Sequence, residues 1–405
     1  MADQPPAQIG APIGFAEFVA LVAALLALGA LGIDAMLPAL PAIGAELGVA
    51  DPNARQFVIS AFLGGFGVAH LIHGPLADRF GRRRVLLWAM GAYAAANIAA
   101  ALAGSFALLI AARVLGGMAI AATRVATTAM VRDCYHGPAM ARVMSIAFLA
   151  FMIAPIVAPA IGQAVLLVAD WRAIFWGIAG LSAVLFLWFW ARMPETLPAD
   201  RRRPIRPAPV IAGWRRTAGD RLSLGYTLAA TAMTGALYGY LNSIQQVVDG
   251  FGRAELLGGV FAATAATMAA ANLFNARLVM RLGTRLIGHG AVLGLIAVAA
   301  LHLVLVELGR DGLWSFTVLQ ALTMACMALA TSNFMAMAMQ NMGAIAGTAS
   351  SVQGFANVTA GAMTGAVIGQ AFNGTAAPMT IGFMAAGVVA LGLVAWTERG
   401  RLFGR

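Results

Sequence analysis

Twelve apolar runs, each of about eighteen residues or more, follow one another along the chain with only short polar gaps between them. They lie near 15–40, 54–74, 84–103, 106–131, 139–165, 171–192, 222–248, 255–277, 286–306, 313–338, 345–371 and 377–397. As helices, such runs match the roughly 30 Å hydrocarbon core of a bilayer. A soluble fold of 405 residues cannot bury twelve of them: with 61% hydrophobic and 10% charged residues, most of the chain must lie in lipid. The expected fold is therefore an all-α membrane protein. Its only long polar interruption, Met193 to Arg221, is rich in Pro and Arg and divides the chain six plus six. Residues 1–192 and 222–405 then form two pseudo-symmetric six-helix bundles, with 193–221 as a cytoplasmic linker and a cavity at the midplane between them.

All 26 basic residues are arginine, and the formal charge is +10. They are scattered through the gaps instead of forming one stripe, so nucleic acid is not an expected partner. With the N-terminus inside, interior loops and tails hold twenty arginines, including Arg203, Arg206 and Arg405. Exterior loops hold only Arg55, Arg172, Arg253 and Arg310. This asymmetry places both termini in the cytoplasm of a multi-pass inner-membrane protein. No basic residue precedes the first apolar run, which reads as a retained span, not a cleaved signal. Cys134 and Cys326 belong to no CxxC, and His70 and His73 lack a third ligand, so no disulfide, metal or cofactor is expected. A monomer is expected.

One gap stands out. Gly74 to Leu87, GPLADRFGRRRVLL, reads as a Gly-Pro turn and a charged loop between two spans. Asp78 and Arg79 lie on one side of Phe80-Gly81, and Arg82, Arg83 and Arg84 on the other. In water such pairs are worth roughly 0–1 kcal/mol. Partly desolvated at the mouth of a span, they can latch one conformation against another; an ordinary positive-inside stop signal is the plainer reading. Asn275 to Leu286, NARLVMRLGTRL, echoes this stretch in the second half without the Asp, so a latch there is expected to be weaker or absent.

Three ionisable residues sit too deep in their runs to reach water from a helix end. Asp34 ends a stripe with Ala23, Ala27 and Ala30 at helical spacing, a face that packs on a neighbour or lines a cavity. Near the outer end of its helix, before Pro38 and Pro41, it could also be hydrated and structural. Arg113 and Arg124 are three turns apart on one helix and point the same way, with Gly116 and Gly117 leaving room beside the first. Both need acceptors: Asp34, carbonyls, water or an anionic substrate group. Asn242, Gln245, Gln246, Asn272, Asn333, Gln353 and Asn357 either bond a substrate or join helices. Met324, Met327, Met335, Met337 and Met339 suit a pocket that re-packs around varied ligands, or plain core.

Gly74, Leu76, Asp78, Arg79, Gly81, Arg82 and Arg83 resemble the loop 2–3 signature, motif A, of the major facilitator superfamily. Arg113, with Gly117 and Asp133, is similar to motif B of that superfamily's drug:proton antiporters, and Pro155, Pro159 and Gly162 to their helix 5 motif C. The stretches DAMLPALP from Asp34, DWRAIF from Asp170, PETL from Pro194 and AGTASSVQG from Ala346 narrow the resemblance to the Bcr/CflA branch. Met36, His70, Gly116 and Arg124 depart from the branch pattern near the presumed cavity, which bears on substrate more than on fold.

The resemblance implies a proton-coupled exporter of small, mostly apolar drugs or antibiotics, whose partners are the substrate, protons and the bilayer. Asp34 and Arg113 would form the proton-coupling pair. Gly74, Asp78, Arg79, Gly81, Arg82 and Arg83, with Asp133 as partner, would close the cytoplasmic side. From the residues themselves, and not from the resemblance, Arg124, Gly117, Asn242, Gln245, Asn272, Asn333, Gln353 and Asn357 are the candidates to line the substrate cavity. A dedicated exporter of one metabolite, with Arg124 on its carboxylate, and a proton-coupled uptake system are the alternatives. No HExxH, GxSxG or Ser/His/acid constellation points to an enzyme.

Overall fold

In the computed structural model, which describes residues 11–202 and 207–404, the regular elements are helices. Arg203, Arg206 and Arg405 lie outside the described residues. Twelve long helices carry the fold: α1 (Phe15–Asp34), α2 (Phe57–Phe80), α3 (Arg82–Ala101), α4 (Phe106–Cys134), α5 (Gly137–Leu166), α6 (Arg172–Arg192), α7 (Arg221–Gly250), α8 (Leu257–Leu282), α9 (Thr284–Glu307), α10 (Leu313–Ala338), α11 (Ala346–Gln370) and α12 (Ala377–Thr397). With 20 to 30 residues each, they are long enough to span lipid. Ten of the twelve are apolar enough to cross a membrane on composition alone. The other two, α7 and α11, carry the buried Asn242, Gln245, Gln246, Gln353 and Asn357 and pack on each other at the centre of the second bundle.

Local chemistry sets the ends. Ser105 Oγ accepts the Leu108 N–H at the start of α4, and Asp220 Oδ1 accepts the Ser223 N–H at 2.7 Å at the start of α7. After Asp34 the chain tightens into a 3-10 turn over Leu37–Ala39, where Pro38 cannot donate, and resumes as a short helix, Leu40–Glu46. The expected Gly74-Pro75 turn does not form. Helix α2 runs through Pro75 to Phe80 and breaks only at Gly81, whose φ of 97° suits glycine. Proline leaves one carbonyl without its N–H partner, which a helix packed on its neighbours tolerates.

Within the first bundle α4 packs on α2 and α3, α3 on α6, and α1 on α5; in the second, α7 packs on α11 and α12, and α10 on α8 and α9. Two contacts seam the bundles: α2 along α11, and α5 against α8. Twelve crossings put both termini at one end, with the linker helix Pro207–Gly219, which packs on α7 and α11. Trp88 and Trp190 near that end are each 57% exposed, and Trp314 at the far end is 79% exposed, as side chains at the two membrane surfaces would be.

Candidate functional site

Asp34 is the last residue of α1 and only 4% exposed. Its carboxylate makes no hydrogen bond or ion pair among the described residues, and it lies within electrostatic reach of Tyr238 and Tyr240 on α7 of the other bundle. It closes α1 largely inside the protein, on the side that faces α7 of the other bundle.

The expected Asp34 and Arg113 pair is not formed. Arg113 Nε donates to the Val58 carbonyl at 3.1 Å and Nη2 to the Gly32 carbonyl at 3.0 Å, and its guanidinium stacks over Phe62 at 4.3 Å. Helix α1 stops at Asp34, so carbonyls of its last turn lack N–H partners, and Arg113 takes one of them. The two groups still meet on the same turn, since Gly32 precedes Asp34 by two residues.

Arg113 and Arg124 also diverge. Arg113 is 2% exposed inside the first bundle, whereas Arg124 is exposed although it is midway along α4, and lies within electrostatic reach of His70 on α2 and Tyr238 on α7. Thr128 and Arg132, one and two turns on, are exposed as well. Gly117 is not a cavity residue. A Cβ there would stand 2.0 Å from the Phe62 carbonyl, so it lets α2 and α4 touch. On α5, a Cβ at Gly162 would stand 1.9 Å from the Ala35 carbonyl. That helix, kinkable at Pro155 and at buried Pro159, therefore closes onto the end of α1, and its Gln163 reaches the other bundle's Ala254 carbonyl at 3.1 Å.

The amides divide by role. Within the second bundle Asn333 donates to Asn275 at 2.9 Å, Gln353 Nε2 to Ser223 at 3.3 Å and Asn357 Nδ2 to the Met335 sulfur, while Asn357 Oδ1 accepts from Thr231 at 2.7 Å. Asn242 crosses the seam, accepting from Ser60 at 2.9 Å. Gln245 is buried and Asn272 half-buried. Met324, Met327 and Met337 are core residues.

The motif A cluster is closely knit. Arg82 Nη1 stands 2.5 Å from Asp78 and its Nε 3.1 Å from Asp133 on α4, and Arg82 is 4% exposed; Arg79 is exposed and lies over Phe80. Gly74 lies within α2, its Cβ position 3.7 Å from Ser351 of the other bundle. Sequence reasoning missed Glu195 of the PETL stretch, whose Oε1 accepts the backbone N–H of Arg82 at 2.8 Å and of Arg83 at 3.4 Å. In return Arg83 donates to the carbonyls of Met193 and Trp190 at the end of α6.

The second bundle is latched too, against expectation. Here the acid comes from beyond α12: Arg285 Nε donates to Glu398 at 2.7 Å, and the Tyr226 hydroxyl to the same carboxylate at 2.6 Å. Phe403 N–H donates to His289 Nδ1, so the neutral ring's Nε2–H faces Tyr226 at 3.0 Å. Burial opposes ionisation of Glu398, but the bonds from Tyr226 and Arg285 outweigh it and hold its carboxyl below the ordinary 4.5.

Two six-helix bundles seamed around buried ionisable groups define a membrane transporter. The pattern of the Major Facilitator Superfamily matches residues 21–366, and the chain belongs to that family. Its similarities lie with the Bcr/CflA type: it is 29% identical over 371 residues to a bicyclomycin resistance protein homolog of Haemophilus influenzae, covering 89% of this chain and 91% of that protein. It is 30% identical over 256 residues to a chloramphenicol resistance protein of Pseudomonas aeruginosa, covering 62% and 58% of the two chains. Among solved structures, a peptide transporter POT in complex with sulfate superposes with a TM-score of 0.75 at 16% identity, covering 99% of this chain and all of that one. The xylose transporter XylE of Escherichia coli superposes with a TM-score of 0.72 at 13% identity, covering 94% and 97%. These two likenesses concern the fold.

Proposed function

We propose that this chain exports small, mostly apolar drugs from the cytoplasm across the inner membrane in exchange for protons. The observation that carries the reading is Asp34: a buried carboxylate with no hydrogen bond or ion pair among the described residues, at the seam where two bundles rock. The bicyclomycin and chloramphenicol resistance proteins among its relatives support drugs as the cargo. The arginine asymmetry supports placing the end with both termini in the cytoplasm. Hydrogen bonds between the bundles gather at the opposite end, from Asn53 to Gln370, Phe372 and Gln246 and from Gln163 to Ala254, which fits a state closed to the outside. In that state substrate loads from the cytoplasm beside Arg124. A proton reaching Asp34 after reorientation neutralises it, and the Gly32 turn held by Arg113 passes that change to α4.

The test is an efflux and drug-susceptibility panel in a pump-deficient host, with and without a protonophore. Resistance that collapses with the protonophore and in Asp34→Asn supports the reading; protonophore-insensitive export, or unchanged proton-driven export by Asp34→Asn, overturns it. An arginine midway along α4, at Arg124, within electrostatic reach of Tyr238 on the other bundle, supports a second reading, a dedicated exporter of one anionic metabolite. In that case Arg124→Ala abolishes export of the anion while sparing neutral drugs.

A further inference from the structure

A cavity of about 530 Å³ opens where α3 begins and α6 ends, at the end of the molecule that carries both termini. Its walls bear Arg83, Arg84, Arg192 and Arg202 against Glu195, with Trp190 at the side. Arg192 is neutralised by Glu17, which accepts from its Nε at 2.7 Å and its Nη2 at 2.8 Å. Arg83 is spent on backbone carbonyls and keeps its charge, while Glu195 is engaged by the N–H groups of α3. Arg84 is exposed and forms no ion pair among the described residues, and Arg202 Nε is buried with no hydrogen-bond partner. With Glu195 offsetting one of the three remaining cations, the cavity keeps a positive surplus and an unused donor that points to a missing acceptor.

The face of α3 that carries Arg84 leads, one turn on, to Trp88, which is 57% exposed, and Trp190 is exposed to the same extent. Two open indoles beside the arginines set the cavity at the level of the headgroups, with its lower rim toward hydrocarbon. A soluble anion would use only the upper half of such a site. A molecule with a phosphate head and an apolar tail uses both.

We infer that this cavity binds the phosphodiester headgroup of an anionic phospholipid, with Arg84 and Arg202 as its principal contacts. Basic pockets between helix ends on the cytoplasmic side are suited to such headgroups, and each arginine near the surface strengthens the attraction severalfold. The site is separate from Asp34 and Arg124, and it holds whether the cargo is a drug or a metabolite. Because Arg83 and Glu195 clamp α3 to α6 in the same wall, a lipid seated there bears on the clamp as well.

The test uses the full chain, delipidated in neutral detergent, with cardiolipin, phosphatidylglycerol and phosphatidylethanolamine added in turn and bound lipid read by native mass spectrometry. Wild type is expected to retain the two anionic lipids over phosphatidylethanolamine by about ten-fold or more, and the Arg84→Ala/Arg202→Ala double variant to lose that preference. Thermal unfolding in the same detergent guards against misfolding. The two proteins should melt alike without lipid, and only wild type should gain stability when phosphatidylglycerol is added. Equal preference in both proteins, or no preference in wild type, overturns the proposal. So does inorganic phosphate that stabilises wild type as well as phosphatidylglycerol does, since the site would then serve a free anion.

Discussion

Arg113 holds two helices through their backbones: Val58 of α2 and Gly32 of α1 both accept from its guanidinium, which is why lysine cannot replace it. An ammonium at that depth cannot span both carbonyls, and the one at risk is Gly32, which has no helical N–H of its own. Arg113→Lys is expected to cost about 1–3 kcal/mol of stability and to lower transport, read as a melting shift in detergent and as lost efflux. Asp34, Arg113 and Arg124 were legible in the sequence because a charge inside a long apolar run stands out whatever surrounds it. Their partners were not. Both acceptors for Arg113 are backbone carbonyls, one of them, Gly32, freed by the end of a helix, and backbone atoms leave no mark on composition. Arg113 is spent inside the first bundle while Arg124 comes within electrostatic reach of Tyr238 on the other, although the helix sets both on one side; long side chains leave the helix face in different directions.

At the scale of elements, each bundle closes its second-to-third helix turn with a carboxylate delivered after its last helix. Gly81 and Gly283 break the helices at φ of 97° and 80°, and neither offers a side chain to cap the next helix. Glu195 supplies the cap for α3; it approaches so closely that a Cβ at Gly81 would stand 2.1 Å from its Oε2. Glu195→Ala should therefore destabilise the first bundle by about 0.5–2 kcal/mol, the usual worth of a lost cap, measured by thermal unfolding. In the second bundle Glu398 binds Arg285 and Tyr226 instead. Its carboxyl is held below the ordinary value, so its contribution is complete above about pH 4.5 and is lost as pH falls through the lowered pKa. Melting temperature should consequently drop more steeply below about pH 4.5 in wild type than in Glu398→Gln; parallel profiles would remove Glu398 from the latch. The sequence made motif A visible because its parts are contiguous. Glu195 and Glu398 were hidden because each acts on a turn more than a hundred residues away.

The whole molecule turns on how its bundles share two seams. Packing of α2 on α11 and α5 on α8 without a directional bond can slide, but hydrogen bonds at one end hold that end shut. Asn53 is the centre of that seal, with Nδ2 donating to the Gln370 and Phe372 carbonyls and Oδ1 accepting from Gln246 Nε2. Asn53→Ala removes all three while leaving the bond from Gln370 to the Asn53 carbonyl in place. Three bonds at a partly wetted rim are worth about 2 kcal/mol in total, roughly thirty-fold in the ratio of closed to open. Spin labels across the loops after α1 and α11 should show a longer distance gaining population in Asn53→Ala, and labels at the end with the termini should close in step. If the first pair lengthens while the second stays fixed, the bundles do not rock as rigid bodies, and the seal at Asn53 is only a local clasp.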